Sequence, residues 1–418
     1  MGIGTVAVEF RESASASISR YFETAAERLS MHPEMRRLLS VPFREMTVEI
    51  PLRRDDDRLQ LFHGYRVQHN EVRGPAIGPV RLQAGLQIEV LRAAAESMTW
   101  RCAVANVPFG GAAGGIACDP GQLSAREFER IVRRYAARIH HALGFYQDVC
   151  APGPNAAAEV MHWIADEYSS LQKAAPVPVV GKKSRAASLG DRDRIIGGAI
   201  AALTARAADD ADISLSGPRV AVCSVDRSAF YTALALEQMG HLIVAVLEER
   251  GGLHSSGGVD MQAVGRHLER TGTTAGFEAA NQITDVHNVD CDILIIGTPE
   301  CALNAVTCAG VRTKLVIETA GLVITPAADR TLSSQGVVVI SDLVGAAAEV
   351  LVANAEWSNE FHRLSSRKDL PPPDIDSAIV NTYEQMLERA RRDNVTMRTA
   401  AYSAAIERVA RSEHLRVA

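Results

Sequence analysis

Three residues in the first half of the chain are of types that move protons or attack carbonyls: His69, Asp148 and Cys150. A histidine can serve as base, a carboxyl as acid and a cysteine as nucleophile, provided that each is exposed to a substrate. The competing use for all three is as framework groups. Four arginines, Arg66, Arg73, Arg81 and Arg101, can together line a cleft for a small anion, since a guanidinium grips a carboxylate bidentately. Surface or interface ion pairs are the competing use for the first three. Pro108-Phe109-Gly110-Gly111-Ala112-Ala113-Gly114-Gly115 is so rich in glycine that a loop is expected, with backbone closely approaching something. The seven cysteines, Cys102 to Cys308, show no CxxC pair and no histidines at zinc-ligand spacing, so they read as buried thiols and no metal is expected.

The elements that must position these groups follow from composition and pattern. At 418 residues the chain exceeds one hydrophobic core, which implies two domains. Hydrophobic residues make up 47% and charged ones 22%, the balance of a globular protein with a filled core. Lys and Arg total 44 against 50 Asp and Glu, with no block of five or more like charges, so nucleic acid is not an expected partner. No apolar stretch nears the roughly 20 residues of a membrane helix. No membrane contact is expected, and the expected location is the cytoplasm.

Pattern predicts a helix at Ile18–Leu29, strands at Met46–Leu52 and Leu59–His69, and a helix near Leu86–Val104. Ser124-Ala125-Arg126-Glu127 is a capping box that starts another helix. From Ser216 the texture changes to short apolar runs, at Val220–Val225, Leu242–Leu247, Asp292–Ile296, Leu315–Ile317 and Val337–Ile340, separated by helical stretches. This is the pattern of a parallel sheet with helices on both faces. Lys182–Asp212, with Gly197-Gly198, lies between the textures as a candidate hinge. Two late helices, Ile375–Arg392 and Thr396–Arg411, follow Pro371-Pro372-Pro373.

Several blocks, read in order, resemble those of the glutamate/leucine/phenylalanine/valine dehydrogenases. They include Gly64–Asn70, Arg73-Gly74-Pro75, Met98–Val104, Pro108-Phe109-Gly110-Gly111, Asp148–Pro152, Trp163–Ser169, Gly251-Gly252-Leu253, Asp290–Ile295, Thr325-Pro326, Glu356-Trp357 and Ala400-Ala401-Tyr402. The resemblance implies an α/β fold of two domains. A mixed-sheet substrate and dimerisation domain would span 1–200, completed by helices in 358–418, and a doubly wound Rossmann-like domain would span 201–357. It also implies that His69 and Asp148 are framework.

The same resemblance points to what is changed. The family's lysine for a substrate carboxylate matches Ile77, its second substrate lysine Arg101, its catalytic lysine Ala113, the proton-shuttling aspartate Gly153, and a substrate-binding serine Ala353. A dinucleotide turn needs Gly-x-Gly-x-x-Gly, because only glycine lets pyrophosphate approach the helix start. Here that stretch is Ser224-Val225-Asp226-Arg227-Ser228-Ala229, and Glu248 stands where the family has its ribose-binding acid. Arg227 and Ser228 at a helix start can still receive an isolated phosphate.

The expectation is therefore a family member without amino-acid dehydrogenase activity, serving as a regulatory, scaffold, ligand-sensing or subunit protein. No cofactor is expected, with NAD or NADP bound only if the altered turn still works. A homo-oligomer, dimer or hexamer, or a hetero-oligomer with an active relative is implied, together with a small anionic ligand. Altered, cofactor-independent chemistry in the same cleft is the second reading, and a working NAD(P)-dependent amino-acid dehydrogenase the third.

Overall fold

The computed structural model describes residues 3–173, 176–182, 191–213, 217–224, 227–248, 251–283, 289–298, 302–321, 323–364 and 373–417. Helices α1 (Ile3–Arg28) and α2 (Pro33–Leu39) precede strands β1 (Arg44–Arg53), β2 (Leu59–Asn70) and β3 (Ala76–Leu82). Helix α3 (Ile88–Val104), strand β4 (Gly110–Ile116), helix α4 (Ala125–Ile139), strand β5 (Asp148–Ala151) and helix α5 (Ala158–Gln172) follow. Next come α6 (Arg192–Asp210), β6 (Arg219–Cys223), α7 (Arg227–Gln238), β7 (Leu242–Glu248), β8 (Gly251–His254), α8 (Met261–Thr271) and β9 (Asn281–Ile283). The chain continues through β10 (Ile293–Ile296), β11 (Leu315–Glu318), α9 (Pro326–Ser334), β12 (Val338–Ile340) and α10 (Asp342–Gly345). Helices α11 (Ala347–Leu364), α12 (Ile375–Asp393) and α13 (Met397–Val417) complete it.

These elements form two compact units. The first comprises Ala25–Gly190, Ala353–Pro373 and Ser403–Ala418, and the second Met1–Thr24, Asp191–Val352 and Asp374–Tyr402.

The first unit is built on a five-stranded sheet in the order β1-β2-β4-β3-β5. Strands β1, β2 and β4 run antiparallel, and β4, β3 and β5 parallel. One face buries Ile50, Leu52, Phe62, Val80 and Ile116 against Ile131, Tyr135 and Ile139 of α4 and Val160 and Ile164 of α5. The capping box forms as read: Ser124 Oγ accepts from Glu127 N at 3.2 Å and Glu127 Oε2 from Ser124 N at 2.8 Å.

The glycine-rich stretch corrects the loop expectation, because residues 110–116 are a fully buried central strand. Its glycines serve the close approach of neighbours on both sides. A Cβ on Gly111 would overlap Thr99 and the Ala95 carbonyl of α3, and one on Gly114 would meet Tyr135 Oη of α4 at 2.5 Å. Strand β4 is thus thin enough for helices to lie flush on both faces.

The second unit holds a seven-stranded sheet in the order β12-β11-β10-β6-β7-β8-β9. The five strands from β12 to β7 are parallel, as their wholly apolar runs require, and β8 and β9 add antiparallel strands at one edge. Strand order reverses between β6 and β10, which makes the carboxyl ends of these two strands the topological switch point.

Within the candidate hinge Lys182–Asp212 the division between the two units falls at Gly190/Asp191, and residues 192–210 form α6. Gly197 lies inside that helix, where a Cβ would sit 2.7 Å from Ser228 O and Thr232 N. Its function is to let α6 and α7 pack backbone to backbone. Cys102, Cys118, Cys150, Cys291 and Cys308 are free and buried, whereas Cys223 is disulfide-bonded, a departure from the expectation of thiols throughout. Among the described residues no helix is long and apolar enough to cross a membrane.

Candidate functional site

Four of the five predicted cleft positions are tied together by the sheet of the first unit. Ile77 on β3 lies beside Gly111 of β4 and Val149 of β5, and Ala113 follows two residues along β4, paired with Val67 of β2. Residues two apart on a strand share a face, so Gly111 and Ala113 both meet α3. Arg101 is in the last turn of α3 and buried, with Nη1 3.9 Å from Met98 Sδ. Gly153 follows β5 and packs against β3, where a Cβ would stand 2.5 Å from Val80 O and 2.8 Å from Pro79 Cβ. Ala353 is buried on α11.

Ala113 is fully enclosed by Val67, Leu86, Leu91 and Ala95. The position is apolar, and an ionised side chain with no partner would be costly there. Ile77 is likewise fully buried.

The three residues of reactive type are committed to the framework. Arg66 Nε donates to Asp148 Oδ2 at 2.9 Å, and the same oxygen accepts from Gln68 Nε2 at 2.6 Å. Arg66 also donates to the carbonyls of Gly78 at 3.3 Å and Val149 at 3.2 Å, and both ion-pair side chains are fully buried. Burial pulls the Arg66 guanidinium down most strongly, but the charge and hydrogen bond of Asp148, with Cys150 and Tyr135, together hold the group above its ordinary range. This pair stitches β2, β3 and β5 together and replaces the surface or interface pairing considered for Arg66. Burial pushes the Cys150 thiol up to about 11, which leaves almost no thiolate at neutral pH. Arg73 is half-buried and donates to Asn106 Oδ1 at 3.0 Å and Cys102 O at 3.4 Å.

His69 shares a hydrogen bond of 2.9 Å with Thr99 Oγ1 and packs edge-on to Trp100. Burial depresses its pKa to about 4. The folded state therefore binds fewer protons than the unfolded chain below the ordinary histidine pKa of about 6.5. Stability is fully present above that pH and falls as pH drops from about 6.5 to about 4, by at most about 3 kcal/mol. Chemical denaturation at pH 7 and pH 5 checks this: His69→Gln is expected to reduce the difference between the two pH values, and an unchanged difference would refute the assignment.

In the second unit the switch point gathers hydroxyls. Ser224 follows β6, Gly297 follows β10 and Thr319 follows β11. A Cβ on Gly297 would lie 2.6 Å from Ser224 Oγ and 2.7 Å from Thr319 Oγ1, so that glycine separates two hydroxyl groups. Ser224 Oγ is buried without a hydrogen-bond partner among the described residues. Ligands of doubly wound sheets bind at such strand ends. The sequence reading included Ser224 but missed Gly297, which only the strand register brings beside it.

The altered turn continues into α7, with Arg227 exposed, Ser228 half-buried and Ala229 buried. Arg227 turns towards Asp191 Oδ2 at 3.4 Å and Tyr231 Oη at 3.1 Å. The readings of Val225 and Asp226, and of the Glu248 side chain, lie outside the described residues.

Comparison with known proteins accounts for both units. A sequence model described as Glu/Leu/Phe/Val dehydrogenase, dimerisation domain, matches residues 42–170, and one described as Glutamate/Leucine/Phenylalanine/Valine dehydrogenase matches 189–416. The chain is 33% identical over 400 residues to a glutamate dehydrogenase of Thermotoga maritima, covering 93% of this chain and 94% of that protein. It is 31% identical over 409 residues to glutamate dehydrogenase B of Halobacterium salinarum, covering 97% and 95%. The hetero-hexameric glutamate dehydrogenase of Thermus thermophilus, solved in a leucine-bound form, superposes with a TM-score of 0.88 at 31% identity, with 95% of each chain covered. By fold and by sequence along nearly its whole length, this chain belongs to the Glu/Leu/Phe/Val dehydrogenase family.

Proposed function

We propose that this chain is a non-catalytic member of its family, a regulatory or ligand-sensing subunit that assembles with itself or with an active relative. The observation that carries the reading is the pair of side chains at the matched catalytic positions. Ala113 offers only a methyl group in an apolar enclosure, and Gly153 offers no side chain in a space that admits none without moving β3. A dehydrogenase of this family needs a base of depressed pKa and a proton relay beside the reacting carbon, and each such group contributes about 10²–10⁴-fold. Neither residue can hold or move a proton.

The dinucleotide, where bound, supplies the hydride. Of the residues that would hold it, Ser224 and Thr319 have hydroxyls at the switch point, but the turn Ser224–Ala229 contains no glycine to let pyrophosphate reach the start of α7. The protein is therefore read as binding NAD(P) weakly or not at all.

What persists suits ligand sensing. Arg101 keeps a guanidinium for a carboxylate in the last turn of α3, and Ile77 makes the neighbouring strand apolar. Because the Thermus relative is hetero-hexameric and leucine-bound, an apolar amino acid is the first ligand to try and an active family member the first partner.

The test is calorimetric titration with NAD(H), NADP(H) and L-leucine, with mass photometry and an amination assay on 2-oxoglutarate and ammonia. The expected outcome is an oligomer that consumes no reduced cofactor and binds neither dinucleotide more tightly than about 100 μM, roughly −5.5 kcal/mol. Cofactor consumption at a rate comparable to active relatives would overturn the proposal.

A further inference from the structure

The second unit contains a buried ionic cluster that the candidate site does not use. Glu318, at the end of β11, accepts from Ile324 N at 2.9 Å, Asp342 N at 3.2 Å and Arg398 Nη2 at 2.6 Å. The same guanidinium reaches Asp329 Oδ1 at 3.1 Å through Nη2 and Asp342 Oδ1 at 3.4 Å through Nη1. Glu318 and Asp342 are fully buried, Arg398 is 2% exposed, and only Asp329 has a solvated margin. Tyr21 lies under the guanidinium, with Cζ 4.8 Å from the ring centroid, and its hydroxyl donates to Ile324 O at 3.4 Å.

Among the described residues, the titratable and charged groups of the cluster come one from each packed element: Tyr21 from α1, Glu318 from β11, Asp329 from α9, Asp342 from α10 and Arg398 from α13. Three carboxyl groups converge on one guanidinium. A single guanidinium cannot compensate three carboxylates in an interior of low dielectric, so ionising all of them would leave buried like charges beside one another. The economical state places one proton on Glu318, which is fully buried and faces the Asp342 and Asp329 carboxylates across Arg398.

We propose that Glu318 holds a proton at neutral pH, and that releasing it loosens α1 and α13 from the end of β11, making their anchorage proton-linked. Burial raises the Glu318 carboxyl to about 8 against the pull of Arg398, with Asp342 and Asp329 adding to the rise. The folded chain then keeps a proton that an unfolded glutamate releases near about 4.3. The cluster's stabilisation is fully present below that pH and is lost as pH rises through about 8. The window is opposite in sign to that of His69, so the two devices are separable by pH.

The experiment uses the full-length protein between pH 5.5 and 9.5. Infrared spectroscopy reads the carbonyl stretch of a protonated carboxyl group, and hydrogen exchange reads the protection of residues 16–24 and 397–402. The expected result is a protonated-carboxyl band at pH 6–7 that disappears around pH 8. Exchange in both segments, corrected for its intrinsic pH dependence, should rise about tenfold for each pH unit over which the proton is released. Asp342→Asn and Glu318→Gln, each a neutral stand-in, should remove the band and flatten the exchange profile. Absence of the band in the unmodified protein at pH 6, or a pH profile unchanged in both variants, would overturn the proposal. The infrared measurement needs no variant and decides the matter even where a substitution prevents folding.

Discussion

Arg66→Met is expected to lower the stability of the first unit by about 3–5 kcal/mol, because it strands the Asp148 carboxylate in the interior without its cation. The wild-type pair is fully buried, and the guanidinium also satisfies the Gly78 and Val149 carbonyls, so the substitution orphans three acceptors at once. Gln68 Nε2 still donates to Asp148 at 2.6 Å, but one neutral donor replaces little of what a charged, bidentate partner supplied. Adding Asp148→Leu should recover a substantial part of the loss, since removing both charges removes the desolvation cost along with the attraction. All three tryptophans, Trp100, Trp163 and Trp357, lie in the first unit, so fluorescence-monitored urea unfolding reports on this unit alone. A loss under about 1 kcal/mol for Arg66→Met would show that the pair does not hold β2, β3 and β5 together.

The reason Arg66 and Asp148 were not legible as a pair is that 82 residues separate them, and only the interleaved order β1-β2-β4-β3-β5 brings their strands within reach. Each residue alone is compatible with a cleft. Local signals fared better: the apolar runs of β6, β7, β10, β11 and β12 and the capping box of α4 depend on a few neighbouring residues, and the structure follows them closely. Glycine misled because its freedom has two uses. In residues 110–115 it serves close packing of α3 and α4 on a strand, not a turn, and sequence alone does not say which neighbour is approaching. Ala113 and Gly153 were found through resemblance, but their surroundings were not. That one sits in an apolar enclosure and the other against a strand backbone emerges only from the fold.

On the proposed non-catalytic reading, placing a lysine at 113 and an aspartate at 153 is expected to damage this protein without making it an amino-acid dehydrogenase. In Ala113→Lys the new ammonium enters a space bounded by Val67, Leu86, Leu91 and Ala95, where desolvation favours the neutral amine or forces the enclosure open. Gly153→Asp drives a Cβ into Val80 O and Pro79 Cβ, an overpacking that costs about 1–3 kcal/mol before the carboxylate finds a partner. The groups of a proton-transfer site act as a unit, so either substitution alone should leave the amination rate at the level of a no-enzyme control. On the same proposed reading the double variant should do no better, because the turn Ser224–Ala229 has no glycine to let pyrophosphate approach the start of α7. The check is cofactor consumption with 2-oxoglutarate and ammonia for both single variants and the double variant, beside urea unfolding of each. Turnover by the double variant would show that the altered turn still holds NAD(P)H, confining the loss of function to the first unit. A folded but inactive double variant would place a second, independent loss at the switch point, where Ser224 and Thr319 flank Gly297.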